Sequence, residues 1–382
     1  MKMKSIYVLF IFAVFALSIG LFGCGSDDSH IRINGVRYSI ELTELDLSAM
    51  NLTNEDIASL RYMANLKQLD LSFNEISDLS PLSNLTNLEQ LNLDANDRIS
   101  NLSPLSGLTN LTELHVWSSQ ISDLSPLSNL SRLRKLNLDS NEISDLSPLS
   151  ELTHLERLSL GFNEISDVSP LSNLTNLEML FLSYNQISDL SPFSRLKDLS
   201  RIYLSHNQIE DVSPLSNLTN LTILSLGDNQ ITDVMLLSNL TNLTQLLLNN
   251  NQISDLSPLS GLTKLTELSL ANNQFGGELS SLTGLTNLQV LSLMGNQIVD
   301  LSPLSSLVNL NILSLRDNQI VDVSPISSLM NLNSLRLDNN QISDLSPLAE
   351  FEIQLDGAIN LRGNPITDWS PVAHIRHVDG RP

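Results

Sequence analysis

A 22-residue unit recurs along almost the whole chain and limits its fold more than any other feature. Residues 155–176 read LERLSLGFNEISDVSPLSNLTN, and residues 177–198 read LEMLFLSYNQISDLSPFSRLKD. Asn141, Asn163, Asn185, Asn207, Asn229, Asn251 and Asn273 mark the period. A repeat this short is one supersecondary unit. Leu155, Leu158 and Leu160 are set against Arg157, Ser159, Gly161 and Phe162, which is the alternation of a strand. One strand and one loop cannot bury a core, so the units must stack. Stacking aligns the strands as a parallel sheet with turns about 4.8 Å apart.

The second half of the unit is Ser166-Asp167-Val168-Ser169-Pro170-Leu171-Ser172. Asp and Ser favour turns, and Pro suits the first helical position. The return is too short for a long helix, which predicts one 3₁₀ turn on the convex side. At the sharp bend after each strand, an asparagine amide has donors and an acceptor for buried backbone groups of adjacent turns. The expected ladder is Asn74, Asn96, Asn141, Asn163, Asn185, Asn207, Asn229, Asn251, Asn273, Asn296, Asn318, Asn340 and Asn364. The pattern LxxLxLxxNxI at this period is the leucine-rich repeat signature. With its SPLSxLTN return, the chain resembles the internalin class of bacterial repeat proteins. The fold expected is an α/β leucine-rich repeat horseshoe of about fifteen turns, with the sheet concave and 3₁₀ turns convex.

Taken in order, residues 1–23 read as a signal peptide, with Lys2 and Lys4 before an apolar run. The run ends in Leu21-Phe22-Gly23-Cys24, which resembles the bacterial lipobox. That resemblance implies lipid attachment at Cys24, the sole cysteine, and an extracytoplasmic protein of the cell envelope anchored to the membrane. The run is also just long enough to span a bilayer, so an uncleaved helix stays open, as does cleavage without lipid. Residues 24–39 form the acylated cysteine and spacer, 40–65 the N-terminal cap and first turn, 66–350 the repeats, and 351–382 the C-terminal cap. Asp97-Arg98 and the Gln274–Glu278 stretch each lengthen a turn, and both are expected to bulge on the convex side, the alternative being a local change in curvature at 274–282. Ser119 stands where a ladder asparagine belongs, so its turn is expected to be weaker.

The formal charge is −22, from 42 acidic and 20 basic residues. It argues against nucleic acid and against adsorption to anionic lipid. An aspartate column, Asp123, Asp145 and Asp167 among its members, suits either its own backbone donors or a cation. His374 and His377 have a metal-like spacing without an evident third ligand. No catalytic motif occurs, so the expectation is a monomeric binding protein that is not an enzyme and needs no cofactor or metal.

Phe73, Trp117, Phe162, Phe181, Tyr184 and Tyr203 fall at outward strand positions, more than chance places there. Arg157, Phe162, Phe181, Tyr184, Arg201, Tyr203 and His206 cluster in three consecutive turns. Aromatics with arginine are the composition of binding hot spots. They predict one contiguous concave patch for a protein or glycan ligand. The alternative is a structural or self-assembling envelope protein with no specific ligand.

Overall fold

The computed structural model describes residues 29–351 and 358–382. Cys24 and the segment before it lie outside the described residues, as does the 352–357 stretch of the C-terminal cap. Sixteen parallel strands, β3 (Glu44–Asp46) to β18 (His377–Asp379), form one sheet in unbroken chain order. Their inward residues meet in register, as in Leu136↔Leu158, Leu158↔Leu180 and Leu180↔Ile202. Among the described residues fifteen 3₁₀ turns, from Ala58–Tyr62 to Ser370–Val372, line the opposite face. Between the two faces runs a single leucine core. Within one turn, Leu155, Leu158, Leu160, Ile165, Val168, Leu171 and Leu174 are all buried.

Caps cover both ends. β1 (His30–Ile33) and β2 (Val36–Ser39) form an antiparallel hairpin through Asn34 and Gly35, both with positive φ, as a two-residue hairpin turn requires. Ile31 and Ile33 pack against the first turn. At the other end Phe351, Val372 and Ile375 are buried, and Trp369 packs on the core. His374 is tied to the Phe351 carbonyl through Nε2 at 2.9 Å.

The aspartate column serves its own turns. Asp167 Oδ1 accepts the Ser169 N–H at 2.8 Å, and Oδ2 accepts the Ser169 hydroxyl at 3.0 Å. Asp189 and Asp211 do the same for Ser191 and Ser213. The serine hydroxyl, and then the serine N–H, hold Asp123, Asp145, Asp300 and Asp322 below the ordinary carboxylate range.

Each ladder asparagine spans two turns. Asn207 Nδ2 donates to the Leu182 carbonyl of the turn before and to the Leu204 carbonyl of its own, both at 3.0 Å. Its Oδ1 accepts the Ile187 N–H at 3.0 Å. Asn185, Asn229, Asn251, Asn318 and Asn340 repeat this arrangement.

The first lengthened turn does not place its extra residue in the convex loop. Its extra residue lies directly after the ladder Asn96, whereas that of the second turn falls at Gly276-Gly277, after Phe275. With Asp97 and Arg98 in place, the Ile99 N–H reaches the Asn96 carbonyl of its own turn at 3.1 Å. It therefore does not need an amide oxygen from the next turn. Ser119, in that position, donates its hydroxyl to the same carbonyl at 3.0 Å. The insertion and the missing asparagine compensate each other, and the expected weak point at Ser119 has its hydrogen bonds. In the other long turn Gly276 and Gly277 take φ of 59° and 80°. A Cβ on Gly277 would lie 3.0 Å from the Gln297 carbonyl oxygen. Phe275 is buried where other turns place isoleucine.

A second asparagine series runs along the opposite edge of the sheet. Asn176, Asn220, Asn242, Asn287, Asn309 and Asn331 each donate Nδ2 to a carbonyl of the preceding turn at 2.8–2.9 Å. The first four are the asparagines of LTN triplets, and Asn309 and Asn331 end LVN and LMN at the same place. The bonds are exposed, so water replaces them when they are lost. Asn220→Ala is expected to cost only about 0.5 kcal/mol, at the low end for a hydrogen bond. Urea denaturation against the parent chain measures this.

Candidate ligand-binding face

Four side chains per turn leave the leucine core on the concave side. Pairing of β8 (Arg157–Ser159), β9 (Met179–Phe181), β10 (Arg201–Tyr203) and β11 (Ile223–Ser225) sets them in columns. The first column reads Arg157, Met179, Arg201, Ile223, and the second Ser159, Phe181, Tyr203, Ser225. The third is Gly161, Ser183, Ser205, Gly227, and the fourth Phe162, Tyr184, His206, Asp228.

The rings stack along the solenoid axis. Phe181 and Tyr203 lie 4.5 Å apart and 5° from parallel. Phe162 and Tyr184 are 4.1 Å apart, and Tyr184 and His206 are 4.0 Å apart. The fourth column then continues in polar contacts. His206 Nε2 is 3.3 Å from Asp228 Oδ2, Asn250 Nδ2 donates to Asp228 Oδ1 at 2.8 Å, and Asn272 Nδ2 donates to Asn250 Oδ1 at 2.6 Å.

The expected single strip is therefore two separate stacks. Contact runs between turns, where strand spacing matches ring thickness. Along one strand, Phe181 and Tyr184 are divided by the small third column. Arg157 and Arg201 are exposed in the first column with no carboxylate at ion-pair distance among the described residues. Phe73 and Trp117 stand outside these stacks.

The backbone of the fourth column was not legible in the sequence. Phe73, Phe162, Tyr184 and His206 have φ of 56°, 55°, 61° and 57°. Every regular turn bends this way, and the bend carries the N–H to the next turn, as in Tyr184 N–H to the Ser205 carbonyl at 2.9 Å. Left-handed backbone favours Gly, Asn and Asp, and a bulky residue there is strained. The same column does carry Asn250, Asn272, Gly295 and Gly363 farther on. Three bulky rings in succession are thus not what the bend asks for.

The family profile described as Leucine Rich repeats (2 copies) matches segments that run from residue 64 to residue 350. The chain belongs to the leucine-rich repeat family. Among solved structures, an internalin (inlF) from Listeria monocytogenes is 35% identical over 91% of each chain, with a TM-score of 0.66. A leucine-rich repeat protein of Leptospira interrogans is 27% identical, over 89% of this chain and 90% of that one, at 0.79. The functional domain of InlJ from Listeria monocytogenes, which includes a cysteine ladder, is 25% identical over 85% and 75%, at 0.70. Among curated proteins none matches.

This leucine-rich repeat face changes character along its length. Before the stacks it carries Asp70, Asp94, Glu113 and Asp139. Glu113 is held down to about 2 by its hydrogen bond to His115, with Lys135 2.9 Å away on its other oxygen. Burial pushes Asp94 up against the N–H of Trp117, which it accepts at 2.7 Å. After the stacks the face is mainly uncharged until Arg316, Arg336 and Arg362. The Tyr203 hydroxyl is pushed up by burial and stays neutral at physiological pH. Among the described residues no group of three His, Cys, Asp or Glu is placed to hold a metal, and no helix is long and apolar enough to cross a membrane.

Proposed function

We propose that this leucine-rich repeat chain is a binding or adhesion protein of the cell envelope, monomeric and held at the membrane by lipid on Cys24. The ligand patch is Arg157, Phe162, Phe181, Tyr184, Arg201, Tyr203 and His206. The pair of solvent-facing ring stacks carries this reading. The left-handed bend does not call for bulky residues at Phe162, Tyr184 and His206, and aromatic surface left facing solvent marks an interaction site. The likeness to an internalin at 35% identity supports a surface-binding role, but the fold alone does not fix function.

The ring arrangement favours protein over glycan. Sugar rings lie against aromatic faces, and here most faces are covered by the next ring. What the patch offers a partner is ring edges, arginines and a small-residue floor, the mixture of a protein interface. Affinity capture with the full chain, repeated with Phe181→Ala/Tyr203→Ala, tests it. A protein captured by the parent and lost with the double variant is the expected result. A protein captured equally by both would place the site elsewhere.

Anchoring has its own test. Acyl chains contribute about 0.8 kcal/mol per buried CH₂, so two or more make release negligible. Cys24→Ser is expected to move the protein from the membrane fraction to the medium or leave its precursor uncleaved. An unmodified Cys24 in the intact mass of the native protein would refute the anchor.

A further inference from the structure

Both ring stacks stop on the same side, the Phe162 stack one turn before the Phe181 stack. One face of Phe181 is covered by Tyr203, and its other face looks toward Ser159, its register partner one turn earlier. One face of Phe162 is covered by Tyr184, and its other face looks toward Ser140. A serine is too short to cover a ring. Asp139 stands beside Ser140, in the column between the two stacks.

The Asp139 carboxylate is held in that position. Oδ1 accepts the Gly161 N–H at 2.6 Å, and the Ser159 hydroxyl lies 2.7 and 2.8 Å from its two oxygens. A Cβ at residue 161 would sit 3.3 Å from Oδ1, so the glycine leaves room for the group to lean in. A carboxylate has about four acceptor directions, and these contacts leave at least one open. No Lys, Arg or His side chain lies at ion-pair distance from it among the described residues. Burial, opposed by Ser159 and Gly161 and joined by the Asp94 carboxylate two turns earlier, pushes its pKa up to about 6.

We propose that Asp139, with the open faces of Phe162 and Phe181, is the seat for one arginine side chain of the protein partner. The proposal rests on the concave patch being the binding site. Ring faces carry the negative lobe of the quadrupole and attract cations. A carboxylate that adjoins Ser140 under one such face and bonds Ser159 under the other, with no cation of its own, adds its charge to that attraction. Arginine suits it better than lysine, because a planar guanidinium stacks on a ring while its fork meets the carboxylate.

The test titrates the full chain with N-acetyl-arginine amide and with the N-acetyl-citrulline amide, which has nearly the same shape but no charge. Binding is followed by NMR of labelled phenylalanine. The arginine probe is expected to bind about ten-fold more tightly at pH 7.5, a gap of 1.4 kcal/mol. The advantage is expected to fall away below pH 5, because the raised-pKa carboxylate is ionised above about 6 and protonated below it. Asp139→Asn keeps an oxygen for the Gly161 N–H and should erase the discrimination without moving the melting temperature downward. Phe162→Leu with Phe181→Leu should weaken the arginine probe several-fold while leaving Asp139 in place.

Equal binding of the two probes to the parent, no binding at tens of millimolar, or an arginine preference that survives Asp139→Asn overturns the proposal. The captured partner separates this failure from that of the wider reading. If Phe181→Ala/Tyr203→Ala abolishes capture and Asp139→Asn does not, the patch stands and the arginine seat falls.

Discussion

Asn207→Leu is expected to destabilise the solenoid by about 3 kcal/mol, near the upper end of ordinary single substitutions. The estimate follows from where its three short hydrogen bonds go, a fourth contact to the Ser205 carbonyl being long at 3.5 Å. The Leu182 carbonyl accepts from Asn185 as well as from Asn207, at 3.1 and 3.0 Å. The Leu204 carbonyl likewise accepts from Asn207 and from Asn229, both at 3.0 Å. Each carbonyl therefore keeps one partner after the substitution. The Ile187 N–H has only Asn207 Oδ1, at 3.0 Å, and becomes a buried orphan. An orphaned donor costs about 1–3 kcal/mol and each lost bond about 0.5–1.5 kcal/mol.

Asn207→Ser should cost a similar amount. The serine at 119 is tolerated only because the longer turn before it lets the Ile99 N–H find the Asn96 carbonyl. The turn before Asn207 has no extra residue. Hydrogen exchange should show the Ile187 amide losing protection first in both variants. In a stack whose turns touch only neighbours, the loss should also split unfolding into two steps. An unchanged Ile187 amide would mean that the ladder is not what holds this bend.

Phe181→Ala with Tyr203→Ala is expected to weaken binding of the captured partner by about 2 kcal/mol or more, roughly thirty-fold, as truncation of paired hot-spot rings does. Its effect on stability should be small. Both rings are only half-buried and stand on the face opposite the leucine core. The stack between them contributes about 0.5–1.5 kcal/mol beyond area burial. Spread over this many turns, that is a change of a few degrees at most in melting temperature. Both sit at ordinary strand positions, so alanine relieves no backbone strain and adds none. Arg336→Ala is the control on the same face, since Arg336 is exposed. Asp338 is unsuitable despite its position, because it is buried and paired to Arg316 at 3.1 Å. Loss of binding in the Arg336 variant and not in the aromatic pair would move the site toward the C-terminal end.

Much of this protein was determined by its sequence alone, and the reason is periodicity. A unit such as Leu155–Asn176 cannot bury its leucines by itself, so stacking, a parallel sheet and the inward direction of Leu158 and Leu160 all follow from one repeat. The same logic placed Phe181 and Tyr203 on the concave side. Three things were decided only by tertiary structure, because each depends on the relation between turns rather than on the unit. The patch divides into two stacks because rings meet across the strand spacing, at 4.5 Å for Phe181 and Tyr203, and not along the strand. The strained bend at Phe162, Tyr184 and His206 arises because the N–H at that position must reach the next turn's carbonyl. Asp139 and Gly161 look unrelated in sequence, 22 residues apart and of opposite character. Only stacking brings the carboxylate onto the glycine N–H and leaves it, without a cation, beside the serines that face the open ends of the two aromatic columns.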